Sequence, residues 1–271
     1  MAQEQSNEAT PAEQYQALRK EFQTAASTYF QSTNDAQRQA IVARVDKVTV
    51  NLLDLVQKNA KAPFALEALT HVVTLEYWLN NHTSHPGWGK ESPQAKAITQ
   101  LLRDHVQSDQ LGETCKRVNF SFRPESETFL RTVLEKNPHR QVQGAACLRL
   151  AQLLAGRVEK LALLQEQPHL ARRYQELYGQ DYIDGLLRQD PAGIMKSAEA
   201  FYERAAQQYG DVKLPYNETV SDVAGTDLFE IRNLAVGKVA LDIGGADQDG
   251  QSFKLSDYRG KVVLLYFWSE F

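Results

Sequence analysis

"RPESETFLRTVLEKNPHRQVQGAACLRLAQLLAGRVEKLALL", residues 123–164, decides the architecture of most of this chain. Phe129, Leu130, Val133 and Leu134 recur at the spacing of a short helix with one apolar face. Asn137-Pro138 ends that helix, because the residue before a proline avoids the helical backbone region. A longer helix follows, in which Val142, Ala146, Leu150, Leu154 and Val158 make one stripe and Cys147, Ala151 and Leu161 widen it. An apolar surface that broad predicts a helix packed between neighbours.

The same pattern runs outward in both directions. Thr10 is placed to cap a helix, with Pro11 at its first position and Glu13 completing a capping box. Tyr15, Leu18, Phe22, Ala25 and Tyr29 then step along one face. A second helix follows "STND" (32–35), with Ile41, Val45, Val48, Leu52 and Val56 aligned. A third starts after Pro63 and carries Ala65, Leu69, Val72 and Leu79. The loop "NNHTSHPGWGKESP" (80–93) interrupts the series, and Ile98, Leu101, Leu102 and Val106 resume it. In "DPAGIMKSAEAFYERAAQQYGDV" (190–212), Asp190 is the cap, Pro191 the first helical residue and Gly210 the stop. After a polar tail over 1–10, residues 11–212 are therefore expected to form a helical array. It is loosely tetratricopeptide-like, built of some seven to nine helices without a strict repeat length.

Composition narrows the function classes. The chain has 271 residues, with a hydrophobic fraction of 42% and a charged fraction of 24%, ordinary for a globular protein that buries real cores. A net charge of −4 argues against a general nucleic-acid or anionic-membrane surface. No stretch approaches the ~18 uncharged residues of a membrane span. "MAQEQSNEATPAEQ" lacks the basic start and apolar core of an export signal, although it also fits the mature end of a cleaved precursor. Two cysteines, Cys115 and Cys147, are too few for a disulfide scaffold; Cys147 is expected to be a buried, inert thiol, and their pairing stays open. The charges of "RVEK" (157–160) and "ARRYQE" (171–176) are expected on solvated helix faces.

Several candidate sites fail on chemistry. His82 and His85 are spaced like a metal pair, with His71 one helix face away, but no third or fourth ligand is close in sequence. Aligning Gly250 to the invariant glycine of a calcium loop puts Gly245 and Ser256 at its ends, where neither can serve as a ligand. Gly244-Gly245 lacks the Lys-Ser/Thr of a phosphate loop.

Near Leu214 the character changes. Residues 213–236 form a connector with one short helical piece at its centre. From Gly237 the period becomes that of strands. "ALDIGGADQDGQSFKL" (240–255) is expected to be a hairpin turning at Asp249-Gly250, since glycine accepts positive φ. "KVVLLYFW" (261–268), apolar without alternation, is expected to be a strand covered on both faces.

Taken together, "GKVALDI" (237–243), "DQDGQSFKLSDYRGK" (247–261) and "VVLLYFWSEF" (262–271) resemble the opening of a redoxin. This is the peroxiredoxin (AhpC/TSA-like) and thiol–disulfide oxidoreductase branch of the thioredoxin fold. The resemblance covers about 35 residues, and Leu241 stands where the family usually has proline. The helical half, with "FLRTVLEKNPHRQVQG" (129–144) and "FEIRNLAVGK" (229–238), also looks like the N-terminal extension of some large redoxins. The fold so implied is mainly α: a helical array followed by the first hairpin and central strand of an incomplete α/β thioredoxin-like domain over 237–271.

The family's nucleophilic cysteine, usually in CxxC, follows this aromatic strand end at a helix N-terminus that holds the thiolate. Trp268, Ser269, Glu270 and Phe271 would thus flank a redox site, and the 271 residues contain no catalytic residue of their own. The resemblance implies thiol–disulfide exchange or antioxidant peroxide reduction, no metal or organic cofactor, and a thiol or disulfide electron donor as partner. Family relatives often work outside the cytoplasm. The chain is expected to be a silent fragment, completed by ~120 further residues of a domain of ordinary size. One rival is a helical scaffold that binds a protein partner and carries a vestigial redoxin segment. Another is a regulatory pseudo-enzyme whose sheet a partner chain completes.

Overall fold

A computed structural model describes residues 9–82, 92–119, 123–235 and 237–266. Among them the chain is mainly helical, with eleven α-helices and one two-stranded antiparallel sheet. It divides between Ala224 and Gly225 into two compact units.

The first helix begins where the sequence places it. Thr10 Oγ1 accepts from the Glu13 amide at 3.3 Å, and the Thr10 amide donates to Glu13 Oε2 at 2.7 Å, closing the capping box of α1 (Pro11–Gln31). Helices α2 (Asp35–Lys58), α3 (Ala65–His82) and α4 (Pro93–Asp104) follow, each packed against its predecessor. Asn34 and Ser92 cap α2 and α4 through their side-chain oxygens. Aromatic rings lock α1 to α3: Trp78 meets Tyr29 edge-on at 5.1 Å and Phe22 at 6.1 Å.

Helices α5 (Leu111–Val118) and α6 (Pro124–Lys136) lead into α7 (Arg140–Glu166), which is the spine of the unit. Helix α7 packs against α5, α6, α8 (Pro168–Tyr178), α9 (Gln180–Leu187) and α10 (Pro191–Tyr209). Its buried residues lie on every side, as its broad apolar surface predicts. Gly144 lets α10 come close, since a Cβ there would meet Tyr209 Cβ at 3.0 Å and Val212 Cγ2 at 3.2 Å. The break before α7 is held by buried Asn137, whose Nδ2 donates to the carbonyls of Val106 and Ser108, both at 2.8 Å. Its Oδ1 accepts from the His139 amide at 2.9 Å.

The connector expected over 213–236 does not behave as one piece. Lys213 bridges Thr219, and the Val220 and Ser221 amides donate to Val212 and Gly210 at 3.0 and 3.1 Å. Thr219 and Asp222 form a reciprocal cap for α11 (Val220–Phe229), and Val220 and Ala224 are buried. Between the bridged residues, Tyr216 and Asn217 both adopt left-handed backbone, with φ of 65° and 67°. Such conformations cost non-glycine residues roughly 1–3 kcal/mol each, less for asparagine.

The second unit has a single turn of wider, π-type helix at Glu230–Leu234, then β1 (Gly244–Ala246) and β2 (Ser252–Lys254), paired antiparallel with Gly245 opposite Phe253. None of its described residues is buried. The largest departure from the sequence reading is here. "KVVLLYFW" was expected to be a covered strand, yet Lys261–Tyr266 form no ladder, and Val262, Leu264 and Tyr266 are 104, 90 and 80% exposed. Apolar patterning states only that these side chains gain by burial. A ladder also needs neighbouring strands to accept its amides, and neither β1 nor β2 pairs with this segment.

Candidate functional site

The segment that resembles a redoxin opening is organised by three aspartates. Asp247 controls the hairpin turn: its Oδ1 accepts from the amides of Asp249 and Gln251 at 3.0 and 2.8 Å. Gly250 takes a φ of +77°, where a side chain would be strained, and its amide donates to the Asp247 carbonyl at 3.0 Å. The turn falls where the sequence puts it, but it is longer than a two-residue turn because the Asp247 carboxylate fills its centre. Asp242 then clasps the far end. Its carboxylate accepts from the Ser256 amide at 2.8 Å and the Ser256 hydroxyl at 3.0 Å. The Ser256 amide is the main reason its carboxyl lies below the usual carboxylate range. Asp257 accepts from the Lys254 amide at 2.8 Å and shapes the single turn Leu255–Tyr258. Phe253 and Tyr258 meet edge-on at 6.5 Å, and Lys261 Nζ sits 5.7 Å above the Tyr258 ring. The result is a small self-contained clasp that aims the chain into the apolar segment. Trp268, Ser269, Glu270 and Phe271 lie outside the described residues.

The cysteines are poor nucleophiles. Cys115 and Cys147 are both free and buried. Burial pushes the Cys115 thiol up to about 12 and the Cys147 thiol up to about 11, so neither supplies thiolate near neutrality. Cys147 Sγ donates weakly to the Phe201 carbonyl at 3.5 Å.

His71, the proposed neighbour of the histidine pair, belongs to the helix packing. Its Nδ1 lies 2.8 Å from the Tyr15 hydroxyl, and Tyr15 stacks on Phe64 at 5.3 Å. Burial lowers the imidazole below its ordinary value and raises the Tyr15 phenol, with Glu67 opposing the first and adding to the second. His85 and the side chain of His82 lie outside the described residues. Among the described residues no three His, Cys, Asp or Glu side chains gather as a metal site.

One expectation fails. Arg157, assigned to a solvated face, is 7% exposed, and its Nη2 lies 2.7 Å from Glu127 Oε2. Arg131 holds the other oxygen at 2.8 Å. Burial alone would raise the Glu127 carboxyl, but Arg157 and Arg131 outweigh it and leave it below the ordinary value. Residues thirty positions apart on α6 and α7 make this cluster, and helical spacing within one helix carries no trace of it. The arginines of "ARRYQE", Arg172 and Arg173, are exposed.

A cleft of about 260 Å³ opens between α5, α7 and the segment at Lys213–Pro215. Its walls come from three places in the sequence, so no single motif announces it.

In comparisons with known proteins, no family model matches this chain, and no curated protein or solved structure matches it.

Proposed function

We propose that this chain is a helical module joined to the opening of a redoxin-type thiol–disulfide oxidoreductase or peroxide reductase. The observation that carries the reading is the clasp built by Asp242, Asp247 and Asp257, which forms a hairpin and a turn over the residues of the resemblance and leads into an apolar row. In this reading Val262–Tyr266 is the central strand of a thioredoxin-like sheet. Pairing with the remainder of that sheet would remove its large side chains from water, at roughly 1.5–3 kcal/mol each. The working thiolate belongs beyond the strand end, at a helix N-terminus that lowers its pKa. Cys115 and Cys147 take no part. The sequential packing of α1 through α4 supports a helix-pair array, tetratricopeptide-like in the loose sense, as the attached module.

Reading the coding sequence in frame past the Phe271 codon tests the proposal. A cysteine codon within the next few positions supports it. A stop codon directly after Phe271, for a chain that purifies as a folded monomer with protected amides over 262–266, overturns it.

A further inference from the structure

The cleft beside α5 combines three features that the helical packing does not require. The first is its charge. Lys116, Arg149 and Lys213 line it with Asp109 and Glu113, and Glu113 is engaged by Arg117 at 2.7 Å. Three cations thus line it against two carboxylates, on a chain whose net charge is −4. Arg149 is oriented by Gln152, 2.6 Å from its Nη1. The second is its floor. Gly112, Val142, Ala145, Leu214 and Pro215 offer small and apolar surface between the charges.

The third is the strained tip at its edge. Pro215 lines the cleft, and Tyr216, the next residue in the chain, adopts left-handed backbone and is 92% exposed. The loop's base is over-determined. The Leu214 amide donates to the Glu218 carbonyl at 2.9 Å, Lys213 bridges Thr219, and Thr219 is capped by Asp222. That base fixes a conformation the tip would not choose alone, and strain held by its surroundings recurs where a chain presents a side chain to a ligand. An exposed tyrosine is also an economical anchor, because its large amphipathic ring has little side-chain freedom to lose.

We infer that this cleft binds an extended acidic segment of a partner polypeptide, its carboxylates meeting Lys116, Arg149 and Lys213 and its chain running over Tyr216. A peptide fits better than a small acid, because the three cations stand on three separate elements and a mono- or dicarboxylic acid has too few carboxylates to meet them all. The inference does not depend on the redoxin reading.

Fluorescence anisotropy with a labelled ten-residue peptide of alternating glutamate and leucine tests it, against the same peptide carrying lysine for glutamate. The acidic peptide binds, and affinity falls as salt rises. Lys116→Ala with Lys213→Ala weakens binding about tenfold or more, the scale of one charge-assisted hydrogen bond. Tyr216→Gly separates binding from folding: glycine accepts the left-handed backbone, so the thermal midpoint holds or rises while binding weakens. Equal binding of the two peptides, or unchanged affinity in both variants, overturns the inference. So does displacement by succinate as effective as by unlabelled peptide, which would make the cleft a site for small acids.

Discussion

Replacing Glu127 with alanine is the sharpest test of how the helical unit is held together. The Arg157 side chain is 8% exposed, and Glu127 Oε2 lies 2.7 Å from it; Arg131, on the other oxygen, is 48% exposed. Removing the shared carboxylate strands one buried cation and one solvated cation. The buried one dominates, and breaking such a pair from one side costs about 3–5 kcal/mol. Arg131→Ala breaks a contact that water can replace and costs under about 1 kcal/mol. At about 2–4 °C per kcal/mol for a unit of this size, Glu127→Ala lowers the melting midpoint by on the order of 10 °C. Joint replacement, Glu127→Leu with Arg157→Met, removes both charges and recovers most of the loss.

The same cluster has a pH signature. The Glu127 carboxyl is depressed in the folded chain, so the unfolded chain takes up its proton first as pH falls. Its stabilisation is complete above the unfolded value, about 4.3, and is lost as pH drops through the lower folded value. Urea melts followed by circular dichroism, from neutral pH to pH ~3.5, read both effects. The reasoning fails if Glu127→Ala is no worse than Arg131→Ala, or if the double variant is as unstable as Glu127→Ala alone.

Three further outcomes are expected. Asn137→Ala removes the two donations to the Val106 and Ser108 carbonyls and costs about 2–3 kcal/mol in the same melts; a loss below about 0.5 kcal/mol would show that water substitutes freely. Cys115 and Cys147 resist a thiol reagent at pH 8 until denaturant is added, and the chain does not accelerate dithiothreitol-coupled insulin reduction; rapid native labelling would contradict their burial. The His71 imidazole titrates below its ordinary value of about 6.5 by NMR. Because its folded value is depressed, its neutral form contributes fully above that pH, and stability declines as pH falls toward the folded value; a midpoint at or above 6.5 would show that burial does not outweigh the attraction of Glu67.

Much of the helical unit was legible because its rules are local. Thr10 and Glu13 announce a cap through side chains that reach their own backbone, and Asn137-Pro138 announces a break through sterics. The several apolar faces of α7 showed that it is enclosed without showing by what. What escaped was made across helices. Arg157 sits among residues that look solvated in sequence, and only Glu127 on another helix explains its burial. Tyr15 and His71 are 56 positions apart, and the cleft draws on α5, α7 and the Lys213 segment. The split of α8 from α9 turns on Gly179 at φ +95°, a single residue inside a stretch whose charges masked the break. The hairpin was legible for the same local reason as the caps. The strand after it was not, because hydrophobicity shows what a segment needs and not whether a partner is present.

The uncovered row Val262–Tyr266 has a practical consequence for anyone handling the protein. Its five residues, three of them β-favouring and none a charge, proline or glycine, present apolar side chains to whatever approaches. Arg259 and Lys261 precede the row and set like charges between approaching copies at that end. A single Leu264→Lys exchange, which sets a charge in the middle of the row, is expected to lower light scattering at high concentration relative to the parent chain.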